Sequence, residues 1–104
     1  MRELPEAFQS LSKDHPRVYQ AYEELARAAH EEGPLDDRTR RLVKLAIAVG
    51  ARLEGAVRSH TWQAQEAGIS KAEMDHVVLL ALTTIGLPSA VAARTWVESA
   101  LAEA

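Results

Sequence analysis

Cysteine is absent from this chain of 104 residues. Without a thiol, the chain can form no disulfide, offers no thiolate ligand to a metal and performs no thiol-based peroxide chemistry of its own. Composition alone therefore excludes the enzymes that reduce hydroperoxides through a cysteine pair.

An excess of positive charge is also missing, because 12 Lys and Arg residues stand against 15 Asp and Glu residues, a net charge of -3. Such a balance does not favour phosphate backbones or anionic lipids. Apolar segments are interrupted well short of the ~18 residues that a membrane span needs, and the N-terminal residues lack an apolar run with a cleavage site. We therefore expect a soluble, cytoplasmic protein without nucleic-acid or membrane partners.

Strand signals are absent too, since no run alternates Val, Ile and Thr with polar residues and no Asn-Gly hairpin occurs. With 47% hydrophobic and 26% charged residues, the length suits one globular domain over residues 1–104. The glycine, proline and capping residues along the chain predict an all-α protein of five helices. The number is six if Gly50 and Gly55 divide the third helix before His60.

Capping residues predict where the helices begin and end. Pro16 suits the first turn of a second helix that runs to about Glu32. Ser70 and Glu73 form a capping box before another helix. The other predicted features are a short helix around Pro5 to Leu11, an apolar stripe of Val18, Tyr22, Leu25 and Ala29, N-caps at Asp36 and Asp37, and a last-helix stripe of Ala93, Trp96, Val97, Ala100 and Leu101.

Two segments, Leu42 to Ala51 and Val77 to Ile85, are apolar on nearly every side of a helix. Each should be buried nearly all round, yet a domain of this size has few positions that are surrounded completely. Contacts between subunits resolve this conflict, so we expect a homo-oligomer.

The stretch Glu54 to Ser89 has a distinctive order of elements. His60 lies on a helix, a Gly-Ile-Ser turn follows at residues 68–70, and an apolar helix then closes on Gly86-x-Pro88. This order resembles the carboxymuconolactone decarboxylase family and its alkylhydroperoxidase D-like relatives, over about residues 35–98. The resemblance implies an alkylhydroperoxidase D-like helical bundle that assembles as a trimer or hexamer.

The chain departs from the thiol-bearing relatives at the positions that carry their chemistry. Leu53 and Ala56 occupy the places of the Cys-x-x-Cys pair, and Arg41 occupies that of a relay glutamate. The histidine persists as His60. The pattern is therefore more similar to the decarboxylase branch, and the thiol relay cannot be carried over.

In the reaction of the namesake enzyme, a lactone-linked acid loses carbon dioxide and the remaining electrons are protonated at carbon. An imidazole with a pKa near ~6.5 can transfer that proton. The resemblance thus implies a lyase or isomerase of a small lactone or carboxylated substrate without a cofactor. The predicted site contains His60 and Glu54 as catalytic residues and Arg52, Arg58, Arg94 and Trp62 as substrate-binding residues.

Most of these residues also have a plainer interpretation. His60 could be a core histidine with satisfied ring nitrogens, and Glu54 could stabilise the first turn of its helix. Arg52 and Arg58 could be solvated or ion-paired surface residues, and Trp62 could belong to the core or an interface.

Two other functions stay open at this stage, and a third is not expected. The family scaffold can persist as a non-catalytic oligomer that binds a ligand. A helix-turn-helix DNA binder has the spacing Ala64-x-x-x-Gly68-Ile69-Ser70, but the following Lys71 to His76 is net acidic. A metal site is not expected, because His15, His30, His60 and His76 include no pair at i, i+3 or i+4.

Overall fold

The computed structural model describes residues 6–103, with side chains from residue 9 onward, and every regular element in that range is an α-helix. The all-α prediction is thereby confirmed. The chain separates into two compact units, one within residues 1–35 and one within residues 36–104, and a single domain over the whole chain stays a prediction. The helices are α1 (Glu6–Asp14), α2 (Pro16–Glu31), α3 (Asp37–Gly50), α4 (Glu54–Glu66), α5 (Lys71–Ile85) and α6 (Leu87–Ala102).

The first unit holds α1 and α2. Pro16 begins α2 as the sequence predicts, whereas the predicted start of the first helix at Pro5 lies outside the described residues. The predicted stripe of α2 is present, but Val18, Tyr22 and Leu25 are all more than half exposed. This helix therefore buries no residue.

The second unit begins with an N-cap, where the Asp36 side chain accepts a 2.8 Å hydrogen bond from the Thr39 amide. The break between α3 and α4 is a Schellman motif. The Leu53 amide donates to the Ala48 carbonyl at 3.2 Å and the Arg52 amide to the Val49 carbonyl at 3.1 Å. Arg52 takes the left-handed position with φ of 59°. The predicted third helix is thus divided, at Arg52 rather than at a glycine.

A second Schellman motif ends α4. The Ile69 amide donates to the Ala64 carbonyl and the Gly68 amide to the Gln65 carbonyl, both at 3.0 Å. Gly68 has φ of 85°, which a glycine adopts without a steric cost. The predicted capping box of Ser70 and Glu73 follows and starts α5.

The core of the second unit lies among α3 to α6. Its fully buried large side chains are Leu45, Val49, Val57, Thr61, Met74 and Val97.

The expectation that both apolar segments are buried nearly all round is wrong for the separate chain. Ile47 of α3 and Leu80 of α5 are each 65% exposed. Among the described residues, no helix combines the length and apolar character that a membrane crossing requires.

Candidate functional site

His60 lies in a pocket between α3 and α4. The pocket has a volume of about 260 Å³, small for a ligand site. Its walls are apolar apart from two nitrogen-bearing side chains. The residues that line it are Lys44, Ile47, Ala48, Ala51, Leu53, Ala56 and His60.

Helical periodicity explains why these residues meet. Lys44, Ala48 and Ala51 follow one another at i, i+4 and i+7 and so share one face of α3. Ala56 and His60 are four residues apart and share one face of α4. The left-handed turn at Arg52 joins the two helices, and their packing brings the two faces together around the pocket.

The surroundings of His60 favour its neutral form. The side chain is half-buried, and burial lowers the pKa of its imidazole because the charged form loses hydration. The positive charges of Lys44 and Arg41 lower this pKa further. Since the shift runs downward from an ordinary value near ~6.5, the imidazole is mainly neutral at pH 7.

If His60 were only a core histidine, its ring nitrogens would need hydrogen-bond partners. Within the described part of the chain, no hydrogen bond or ion pair involves His60. An imidazole without a partner in an open apolar pocket is available to a ligand.

Lys44 was not among the predicted site residues. The sequence did contain a signal for it, because Lys44 is the single charge within the apolar segment Leu42 to Ala51. Its spacing to Ala48 places it on the face that α3 presents to α4.

Arg58, predicted to bind substrate, lies on the opposite side of α4 from His60, about 200° around the helix. Its Nε lies 3.1 Å from Glu54 Oε2. Its Nη1 lies 3.1 Å from Ser99 Oγ and 3.4 Å from Glu103 Oε1. The structure thus brings Arg58 and Glu54 together, but toward α6 and away from the pocket.

The other three predicted residues also have partners outside the pocket. Arg52 Nε donates to Ser89 Oγ at 2.9 Å. Trp62 Nε1 donates to the Ala100 carbonyl at 2.9 Å. Arg94 pairs with Glu98 at 3.4 Å. Of the six predicted site residues, the described pocket lining contains His60 alone.

Arg41, at the position of the relay glutamate, belongs to a polar network beside the pocket. Its Nη1 donates to Gln63 Oε1 at 2.9 Å, and Gln63 Nε2 donates to Ser59 Oγ at 3.1 Å. Asp37 lies 3.5 Å from the Arg41 Nε. Arg41 therefore contributes positive charge near His60 but is itself held by α4 and by its own helix.

A larger groove of about 350 Å³ lies between α3 and α5. Its walls are mostly apolar. The one carboxylate in the described lining, that of Glu73, accepts a hydrogen bond from Ser70 and forms an ion pair with Arg38. The lining consists of Leu42, Val43, Ala46, Glu73, His76, Val77 and Leu80. Across the described residues, no group of three His, Asp or Glu side chains is placed to hold a metal ion.

Comparison with known proteins identifies the relatives of this chain. The sequence model of the carboxymuconolactone decarboxylase family matches residues 16–99. An uncharacterized protein of Haemophilus influenzae is 41% identical over 61 residues, which cover 59% of this chain and 54% of that protein. The chain thus spans about half the length of this relative.

A solved structure has the same fold. It is the apo crystal structure of a carboxymuconolactone decarboxylase family protein from Legionella pneumophila, with a TM-score of 0.78 and 24% identity. The similarity covers 92% of this chain and 86% of the other.

Proposed function

Because the chain belongs to the carboxymuconolactone decarboxylase family, we propose that it decarboxylates or isomerises a small lactone or carboxylated compound in the pocket of His60. One observation supports this proposal above the others. A neutral imidazole and a lysine share a small apolar pocket in which no described carboxylate lies. Such a pocket suits an anion with an apolar body.

His60 is the proton-transfer group of this proposal. In a decarboxylation, the bond between the carboxylate carbon and its neighbour breaks and its electron pair moves into the substrate. Protonated His60 then gives a proton to carbon and becomes neutral. In an isomerisation, neutral His60 removes a proton from one carbon and returns it to another. The isomerisation leaves His60 as it began, and the decarboxylation does so once solvent has restored the proton that His60 gave up.

The test is carbon dioxide release from carboxymuconolactone and from related lactone and β-keto acids. His60→Gln keeps a polar side chain but cannot transfer the proton, so we expect at least a ~100-fold loss of kcat. His76→Gln is the matched control, because it changes an exposed histidine of α5 and should retain turnover. Equal rates for the native protein and His60→Gln would contradict the role of His60.

A non-catalytic ligand carrier is the second candidate. It is favoured by the position of Glu54, which pairs with Arg58 outside the pocket and leaves His60 without a carboxylate partner for acid–base work. If the native protein binds these compounds without releasing carbon dioxide or changing them, the carrier is the better description. Nothing favours DNA binding, since Lys71 at the start of α5 already pairs with Asp75 at 2.7 Å.

The proposal includes a homo-oligomer, such as a trimer or a hexamer. Large apolar side chains of the second unit are exposed on α3, on α5 and at the start of α6. Ile47 of α3 also lines the His60 pocket, as does the exposed Leu53 at the N-cap of α4. A second copy that covered these side chains would exclude water from the pocket as well.

A further inference from the structure

Lys44 differs from the other cations of the second unit. Those for which the structure shows a partner are held by acidic or polar side chains, as with Arg38 and Glu73, Arg41 and Asp37, or Lys71 and Asp75. Among the described residues, no hydrogen bond or ion pair involves Lys44. Lys44 is nevertheless half-buried, beside His60 and between apolar side chains.

A half-buried ammonium without a counter-charge is electrostatically unfavourable, and a bound anion removes that cost. We propose that Lys44 binds the carboxylate of ligands that enter the His60 pocket, and that the bound carboxylate favours the uptake of a proton by His60. The inference rests on the proposed function, because it assumes that the pocket binds a carboxylated compound. It adds the anion-binding residue and the trigger for proton uptake.

The effect of a bound carboxylate on proton uptake by His60 follows from charge alone. In the empty pocket, the positive charges of Lys44 and Arg41 oppose a third positive charge on His60. A carboxylate bound to Lys44 neutralises the ammonium charge of that residue. Its negative charge then stabilises the protonated imidazole of His60. By linkage, ligand binding and proton binding then favour each other by the same factor.

Other charged groups do not perform this role. On α4 itself, Glu54 and Arg58 pair with each other. On α6, which packs against α4, Glu98 pairs with Arg94, and Glu103 at the C-cap of α6 pairs with Arg58. Arg41 faces His60 from α3 but is held by Gln63 and Asp37, which leaves Lys44 as the cation that a ligand can reach.

The experiment measures the pKa of His60 by NMR titration of the full chain, with and without benzoate. Benzoate is a carboxylate with an apolar body that has no decarboxylation or isomerisation to undergo here, and benzamide is its neutral counterpart. His60→Gln assigns the His60 signal among the four histidines. The variants are Lys44→Met, which removes the charge, and Lys44→Arg, which retains it. Lys71→Met, a surface lysine with acidic partners, is the control.

We expect benzoate, but not benzamide, to raise the pKa of His60 in the native protein and in Lys71→Met. Lys44→Met should raise this pKa without any ligand and should weaken benzoate binding about tenfold or more. Lys44→Arg should preserve benzoate binding. In the native protein, benzoate should bind more tightly as the pH falls through the titration of His60, and His60→Gln should remove that dependence.

Three results would overturn the inference: no binding of benzoate, equal benzoate affinity in Lys44→Met and the native protein, or a His60 pKa that benzoate leaves unchanged. These readouts do not involve turnover. Coupling between benzoate and His60 without release of carbon dioxide from any acid would therefore contradict the decarboxylase proposal alone. Turnover that survives Lys44→Met with unchanged KM and kcat would contradict the inference alone.

Discussion

At the scale of single residues, the sequence predicted a role for His60, which stays a prediction, but did not predict that Lys44 lines the same pocket. His60 was found through the family pattern, which reports a position in the chain. Lys44 comes from another helix, and its meeting with His60 depends on how α3 packs against α4. Arg58, two residues from His60 in the sequence, was predicted instead, although side chains two residues apart on a helix diverge by about 200°.

The lowered pKa of His60 predicts how stability depends on pH. Well above pH ~6.5, the histidine is neutral in the folded and unfolded chains and contributes no pH dependence. As the pH falls below that value, the unfolded chain takes up the proton first, so the contribution of His60 to the free energy of unfolding decreases. The decrease ends once the pH has passed the folded pKa. One proton limits its slope to about 1.4 kcal/mol per pH unit.

Urea unfolding at pH 7.5 and pH 5.0 tests this prediction. His60→Gln should lose less stability between the two pH values than the native protein, because its side chain does not titrate. Arg94→Gln, at an exposed position of α6, should behave like the native protein. An equal loss in His60→Gln and the native protein would show that folding does not shift the pKa of His60.

At the scale of the helices, the sequence predicted starts better than stops. The capping box of Ser70 and Glu73 and the first-turn Pro16 have specific side-chain signatures, and both were found in place. The end of α3 was ambiguous, because glycines at positions 50 and 55 suggested the break while Arg52 occupies the left-handed position. The break lies where the amides of Arg52 and Leu53 bond back to α3, and no glycine marks that position in the sequence.

The two Schellman motifs predict opposite effects of reciprocal substitutions. Arg52→Gly should stabilise the fold by about 1 kcal/mol, because glycine has no Cβ to clash in the left-handed conformation. Gly68→Ala should destabilise it by about 1 kcal/mol for the same reason. Although nothing lies within 4 Å of a Cβ at Gly68, the penalty comes from the local backbone.

Urea unfolding of both variants measures these effects, with Arg52→Ala as the control. The alanine variant removes the hydrogen bond from Arg52 to Ser89 but keeps a Cβ in the strained conformation. It should therefore lack the stabilisation of Arg52→Gly. If Arg52→Ala and Arg52→Gly were equally stable, backbone strain at this position would not be the cause.

At the scale of the whole molecule, the sequence contains more apolar helix surface than one copy of the chain buries. The segments Leu42 to Ala51 and Val77 to Ile85 were too apolar for a small domain, and the structure leaves parts of both exposed. Helical periodicity could not reveal which side chains stay outside, because these segments have apolar residues on every face. The packed helices show that the exposed large side chains of these segments are Val43, Ile47, Leu79 and Leu80.

The exposed side of α5 tests whether copies of the chain associate. A single chain has a mass of 11.4 kDa, and light scattering after size-exclusion chromatography should give three or six times that mass. Leu80→Asp should lower the mass, because an interface that buried Leu80 would have to bury an unpaired carboxylate. In the separate chain, Leu80 is 65% exposed, so the aspartate is hydrated and circular dichroism should still show a helical protein.

Ala102→Asp, which adds the same charge at an exposed position near the end of α6, should keep the native mass. A native protein with the mass of one chain would contradict the oligomer, and an unchanged mass for Leu80→Asp would place its interface elsewhere.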